Sequence, residues 1–255
     1  MRLLLDLGNT RLKWAYAAPD GKLSAMQALV HQADLRCWDA LVGDLTHVNP
    51  DAITQIALSS VAGARAQVLC NLLREFLPDR PILQARSTAS FAGVTSAYSA
   101  PETLGVDRFL ALIGAHQRAS MGLGTQIIAM LGTAMTIDVL HPGGLHAGGL
   151  ITPGPSLMRA SLHTGTAELP LIPGNAVALG RSTADAIYSG CQLACAALID
   201  RVVHDFPGAS LLMSGGAASD IMPLLRCPTA RELKLVPKLV LEGLHRYALK
   251  YEQID

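Results

Sequence analysis

The segment Leu5-Asp-Leu-Gly-Asn-Thr-Arg-Leu-Lys-Trp14 has an echo in Ala129-Met-Leu-Gly-Thr-Ala-Met-Thr-Ile-Asp138, 124 residues further along a chain of 255. Each copy is an apolar run, a tight turn of Gly plus a small polar residue, and a returning strand. Two copies near the starts of two halves of similar size predict two homologous α/β domains. Residues 1–120 would form one and 121–255 the other, with a cleft between them.

The surrounding pattern fills in both halves. Residues 2–7, 11–17 and 22–29 predict an antiparallel meander, and 53–59 a further strand. A helix is expected over 64–76, stopped by Pro78 and Pro81. Ser87–Ala100 reads as a loop. Ser99-Ala-Pro-Glu102 has capping-box form, and helical spacing runs through Leu104, Phe109, Leu112, Ile113 and His116 to about 119. The second half offers strands at 126–131, 135–140 and 145–151, and a helix from Pro155 towards His163. A long helix at 183–205 and a strand at 210–213 follow. A closing helix from 237 or 238 to about 250 falls in the second domain.

Twenty Lys+Arg balance twenty Asp+Glu, which excludes a basic nucleic-acid footprint and an acidic tail. Charged residues make up only 16%, against roughly 25% in an average soluble domain, so apolar surface is expected to be covered by a second copy, a homodimer. The N-terminus lacks the apolar stretch of a secretory signal. The uncharged run Ala119–Ile137 is broken by Gly122, Gly124, Gln126 and Gly132, too polar to span a membrane. Cys37, Cys70, Cys191, Cys195 and Cys227 form no CxxC pair and read as reduced thiols of a cytoplasmic protein.

A turn of Gly with Asn or Thr lets backbone N–H groups approach an anion without obstruction by Cβ. Asp6 before the first turn suits a hydrated Mg2+ carrying phosphate oxygens, and Lys13 on the returning strand can reach the same place. Alone, this is an ordinary hairpin; with the second turn and Ser214-Gly-Gly216, phosphate binding becomes the better reading. No Walker loop, dinucleotide fingerprint, H-E-x-x-H or G-x-S-x-G is present. His141 and His146 flank a Pro-Gly-Gly turn and read as a polar turn rather than a zinc site. Asp107 can take a proton from a substrate hydroxyl, with Arg108 on a substrate oxygen. Asp107 facing the helix dipole is an equal alternative.

Together these pieces resemble the type III pantothenate kinase family of the acetate-and-sugar-kinase/Hsp70/actin superfamily. The match runs through Asp6-Leu-Gly-Asn-Thr10 with Lys13, Gly105-Val-Asp-Arg108 and Gly132-Thr-Ala-Met-Thr-Ile-Asp138. It continues through Gly148-Gly-Leu-Ile-Thr-Pro-Gly154 with Met158, Ala167-Glu-Leu-Pro170, Gly180-Arg-Ser-Thr183 and Ser214-Gly-Gly216. The resemblance implies duplicated actin-like (ribonuclease H-like) α/β domains with mixed sheets and an interdomain cleft, in a homodimer with substrate pockets at the subunit interface. It implies ATP-dependent phosphorylation of pantothenate, the first step of coenzyme A synthesis. Asp6, Gly8, Asn9, Thr10 and Lys13 would hold Mg-ATP with Gly132 and Thr133, and Ser214-Gly-Gly216 would line the adenosine side. Asp107 would be the general base. Tyr98, Gly105, Val106, Arg108 and Thr183 would frame pantothenate, Thr183 from the same or the partner subunit.

One position departs from the family pattern. An Asp that helps hold K+ or NH4+ is replaced by Met130, and a thioether is a poor ligand for a hard cation. Weak or absent K+ activation is therefore expected. Two rivals remain: a superfamily kinase with another hydroxyl or carboxylate substrate, and a non-catalytic regulatory homologue. The intact Asp6, Lys13 and Asp107 argue against the second.

Overall fold

The computed structural model describes residues 1–31, 38–118, 124–227 and 229–253. Cys37 and the first residues of the uncharged run, Ala119–Leu123, lie outside them. The chain divides into two units, Met1–Ser120 with Lys238–Asp255, and Met121–Pro237.

The first unit opens with strands β1 (Arg2–Leu7), β2 (Arg11–Ala17) and β3 (Gln27–Val30). Of the expected third strand, residues 22–26 contribute only the isolated bridge between Ala17 and Leu23. Then come α1 (Asp39–His47), β4 (Gln55–Ser60), α2 (Ala64–Phe76) and β5 (Ile82–Gln84). The strand order is β3-β2-β1-β4-β5. β1 runs antiparallel to β2 and parallel to β4.

β1 reads as an unbroken apolar run because both of its faces are covered. Leu3, Leu5 and Leu7 join Leu41 and Leu45 of α1 and Leu69 and Leu73 of α2 in one core. The period of two turns Leu4 and Asp6 to the opposite face.

Two helices of the same unit pack closely with each other, and the later one also packs on β1. These are α3 (Val106–Arg118) and the final helix, Leu239–Tyr251. The closing helix expected in the second half thus belongs to the first unit. Glycines make this contact possible: a Cβ on Gly243 would lie 1.8 Å from the Leu110 carbonyl oxygen, and one on Gly114 2.5 Å from that of Leu239. Arg118 ties the pair with two bonds to Glu242, at 2.6 and 2.7 Å.

The stretch read as a loop, Ser87–Ala100, contains a small hairpin of β6 (Ser90–Phe91) and β7 (Val94–Thr95). Ala92 and Gly93 turn it with positive φ, 51° and 88°. The Ser99–Glu102 box does not cap a helix. Pro101–Thr103 form a 3-10 turn without a side-chain cap, and α3 begins later.

The second unit repeats the plan. It has β8 (Gln126–Leu131), β9 (Ala134–His141), β10 (Leu145–Pro153), α4 (Pro155–Gly165) and α5 (Thr183–Asp205). β11 (Ser210–Ser214), the short α6 (Ala218–Ile221) and β12 (Glu232–Leu235) complete it, and the final helix is α7. Its strands follow β12-β11-β8-β9-β10. β9 is antiparallel to β8 and β10, while β11 is parallel to β8 and β12. Read from the meander end, this matches the first unit strand for strand, giving the duplicated α/β arrangement that the echo predicts, with the mixed sheets that the resemblance implies.

Described helices include one long and apolar enough to cross a membrane, α5, and 44% of its most apolar 18-residue stretch is buried inside the protein. Cys195, Ile199 and Val203 supply its fully buried face.

The α3–α7 contact generates a test. Gly243→Ala should destabilise the protein by about 1–3 kcal/mol from overpacking, although alanine is the better helix former by about 1 kcal/mol. Urea unfolding would measure it; an unchanged midpoint would mean the helices separate without cost.

Candidate active site

Strand register explains why three polar side chains meet. Asp6 on β1 lies opposite Lys13 on β2 and opposite Ser59 on β4. Side chains opposite one another share a face, so the three form a row. Ser59 Oγ donates to Asp6 Oδ1 at 3.2 Å, and Lys13 Nζ stands 3.9 Å from Oδ2. Asp6 is 6% exposed. Burial pushes its carboxyl up to about 6, Lys13 pulls it down, Asp107 raises it again and Ser59 lowers it. A buried carboxylate whose nearest cation is at ion-pair range, with a second carboxylate repelling it, is a donor set that suits a divalent cation.

Asp107 reaches this face because α3 covers it. The residue sits in the first turn of α3, where the helix dipole favours an anion. Its Oδ1 accepts the backbone N–H of Arg108 at 2.9 Å. Gly105 makes room, since a Cβ there would lie 2.7 Å from that same oxygen. Arg108 is 4% exposed. It donates to the Tyr98 hydroxyl at 2.8 Å and lies over the Tyr98 ring, 5.6 Å from the centroid. Asp6, Gly8, Asn9, Thr10, Lys13, Tyr98, Gly105, Val106, Asp107 and Arg108 all belong to the first unit. Gly132, Thr133, Met130 and Thr183 belong to the second.

The two Gly turns close alike. Gly8 N–H donates to the Arg11 carbonyl and Gly132 N–H to that of Ala134, both at 3.0 Å. Backbone also braces the second turn. Gly154 N–H bonds the Thr133 carbonyl at 2.8 Å, and a Cβ on Gly154 would lie 2.2 Å from the Gly132 oxygen. Gly215, of the Ser214-Gly-Gly216 motif, packs as closely, its would-be Cβ 2.3 Å from the Leu131 oxygen.

Met130 occupies the place on β8 that Asp6 has on β1. Its neighbours in register are Thr136 and Ser214. Thr136 Oγ1 is buried without a hydrogen-bond partner among the described residues, and Ser214 Oγ donates to the Pro237 carbonyl at 3.4 Å. The row offers a soft thioether where a carboxylate would give a hard oxygen ligand, with two hydroxyls beside it, a poor set for a hard monovalent cation.

Thr183 is the first residue of α5. The cap beside it is Ser182, which accepts from Asp185 N–H at 3.2 Å and donates to Asp185 Oδ2 at 2.8 Å. Thr183 lines an open, mostly apolar groove of about 940 Å3 with Met158, Leu162, Leu169, Arg181 and Ile187.

His146 is not part of a polar turn. It is buried on β10, its Nε2 2.9 Å from Asp138 Oδ1. A β-bulge between His146 and Gly148 interrupts the alternation that would have revealed this. Among the described residues no His/Cys/Asp/Glu group could hold a metal by itself.

Two units of one topology, with a Gly turn at the end of each leading strand, define an actin-like fold. Solved structures share it. The activator of the 2-hydroxyisocaproyl-CoA dehydratase from Clostridium difficile matches with TM-score 0.56 and 12% identity, over 99% of this chain and 94% of that one. A protein from Sinorhizobium meliloti described as a 2-dehydro-3-deoxygalactonokinase matches with TM-score 0.60 and 15% identity, over 100% and 99%. The model of the type III pantothenate kinase family matches residues 2–205. The type III pantothenate kinase of Aromatoleum aromaticum is 39% identical over 248 residues, 96% of each chain. That of Stenotrophomonas maltophilia is 38% identical over 253 residues, again 96% of each. The chain belongs to the type III pantothenate kinase family.

The raised Asp6 carboxyl has a sign that can be tested. In the unfolded chain it ionises near 3.8, in the folded one near 6. Folding thus carries no ionisation penalty below pH 4; the penalty builds up between pH 4 and 6 and persists above. Asp6→Asn should stabilise the nucleotide-free protein by about 1–3 kcal/mol at pH 7 and by little at pH 4, while abolishing turnover. Denaturant unfolding at both pH values would show it; equal effects at both would place the Asp6 carboxyl in the ordinary range.

Proposed function

We propose that this chain transfers the γ-phosphoryl group of ATP to the primary hydroxyl of pantothenate, giving 4'-phosphopantothenate for coenzyme A synthesis. The observation that carries the reading is the convergence of Asp6, Lys13 and Asp107 on one sheet face, with the Arg108–Tyr98 pair fixed beside Asp107. Phosphoryl transfer leaves the protein chiefly positioning and charge neutralisation to perform. Lys13 complements phosphate charge, and the amides of the Gly8–Thr10 and Gly132–Thr133 turns bind phosphate oxygens. Mg2+, when bound, neutralises phosphate charge, and Asp6 would hold it through water. Asp107 orients the hydroxyl and accepts its proton. Arg108 and Tyr98, each holding the other, frame pantothenate with Gly105, Val106 and Thr183.

We also read the chain as a cytoplasmic homodimer with no nucleic-acid or membrane partner. The groove beside Thr183, with exposed Leu162 in its lining, supports the homodimer, as do exposed Leu157, Leu171, Ile172, Leu179 and Leu193 of the same unit, apolar surface that a second copy would cover.

ADP release from ATP should depend on added pantothenate, and Asp107→Asn should lower kcat by roughly 10²–10⁴-fold with the fold intact. ADP release indifferent to pantothenate would overturn the assignment; a near-normal kcat would remove Asp107 from the proton transfer.

The Met130 row predicts kinase activity that hardly responds to K+. KCl titrated against choline chloride at fixed ionic strength should give a flat curve, and steep saturable activation would place a cation site elsewhere.

A further inference from the structure

The first Gly turn is braced by side chains from two separate parts of its unit. Three successive carbonyls of the turn accept hydrogen bonds from outside the hairpin. His31 Nε2 donates to the Gly8 oxygen at 2.8 Å, Arg65 Nη1 to the Asn9 oxygen at 2.9 Å, and His31 N–H to the Thr10 oxygen at 3.1 Å. The same Nη1 also stands 3.3 Å from His31 Nδ1. A carbonyl can only accept, so the His31 proton sits on Nε2, and Nδ1 accepts from Arg65. One guanidinium thus bonds the turn and the ring that bonds the turn. Trp38 stacks on that ring, centroids 5.7 Å apart, and His31 is 3% exposed. The anchors come from separate elements: His31 follows β3, and Arg65 lies in the first turn of α2.

Peptide planarity gives this bonding a consequence. No peptide bond among the described residues is cis, so each C=O points opposite to the N–H of the next residue. Pinning the Gly8, Asn9 and Thr10 carbonyls therefore fixes the directions of the Asn9, Thr10 and Arg11 amides. Asn9 and Thr10 are exposed, and no residue of the turn has a positive φ.

We infer that His31 and Arg65 are positioning residues, a two-sided strap that aims the amides of the first turn at nucleotide phosphate. This rests on the kinase reading above, in which that turn binds ATP. Neither side chain is assigned contact with substrate; the guanidinium adds positive potential, but its bonds are to the turn.

The test compares ligands that differ only in phosphate. Calorimetric affinities for ADP and adenosine, with steady-state KM for ATP and pantothenate, would be measured for wild type, His31→Leu and Arg65→Met. His31→Gln and Arg65→Lys, which keep a donor, serve as rescue variants. Each disruptive variant should weaken ADP and raise the KM for ATP by roughly tenfold, the loss of one or two charge-assisted or buried bonds. Adenosine affinity and the KM for pantothenate should stay within about twofold, and the rescue variants should recover most of the ADP affinity. Equal losses for ADP and adenosine, or no loss for either, would overturn the strap. If Leu or Met variants do not fold, the His31→Gln and Arg65→Lys proteins decide: a residual loss confined to ADP supports the strap, and ADP and adenosine affinities that fall together, or do not change at all, overturn it. A wild type that binds ADP but never phosphorylates pantothenate would refute the kinase reading alone, because the ADP and adenosine comparison needs no acceptor.

Discussion

Asp6 is a carboxylate on the central strand of a sheet, on the face that α7 covers and α3 approaches. Burying a charge there is costly unless something compensates it. Lys13 and Ser59 do so only in part, and Asp107 adds repulsion, so the carboxyl remains well above its ordinary range. Much of the first unit can be understood from that constraint. The register that aligns Lys13, Asp6 and Ser59, the glycine that lets Asp107 close its turn, and the α3–α7 pair all serve a charge that folding alone leaves incompletely neutralised.

The duplication shows how one topology carries two chemistries. Strand for strand the units agree, yet Asp6, Lys13 and Ser59 are answered by Met130, Thr136 and Ser214. One row is charged and suited to a divalent cation; the other holds a thioether and two hydroxyls. The turns differ in the same spirit. Glycine backbones approach closely at the second, whereas His31, just after β3, and Arg65 of α2 brace the first.

Local signals were legible where local physics decides. Helix α2 and the long α5 run over the expected residues, because the apolar spacing of each ends at a clear stop. Leu5–Trp14 and its echo gave both hairpins, and the D-x-G-N-T and G-V-D-R motifs gave the residues that converge. What failed depended on distant partners. Glu232–Leu235 is a strand only because β11 lies beside it. Ser90–Thr95 turns on Ala92 at positive φ, which no propensity suggests. His31 and Arg65 are separated in sequence from the turn they hold, and nothing near either one announces it. The C-terminal helix looked like the end of the second half, since sequence order says nothing about which glycines on α3 it meets.

That last contact bears on how the chain is made. The strands and helices of the second unit lie in one continuous run, while the first is split, with α7 emerging from the ribosome after the whole second unit. Domains ordinarily fold in order of synthesis. Here the α3–α7 contact can form only after the whole second unit has been made. The earlier-made β1–β5 sheet must wait with the face bearing Leu4 and Asp6 lacking its α7 cover, so a helix made after the second unit finishes the first-made half.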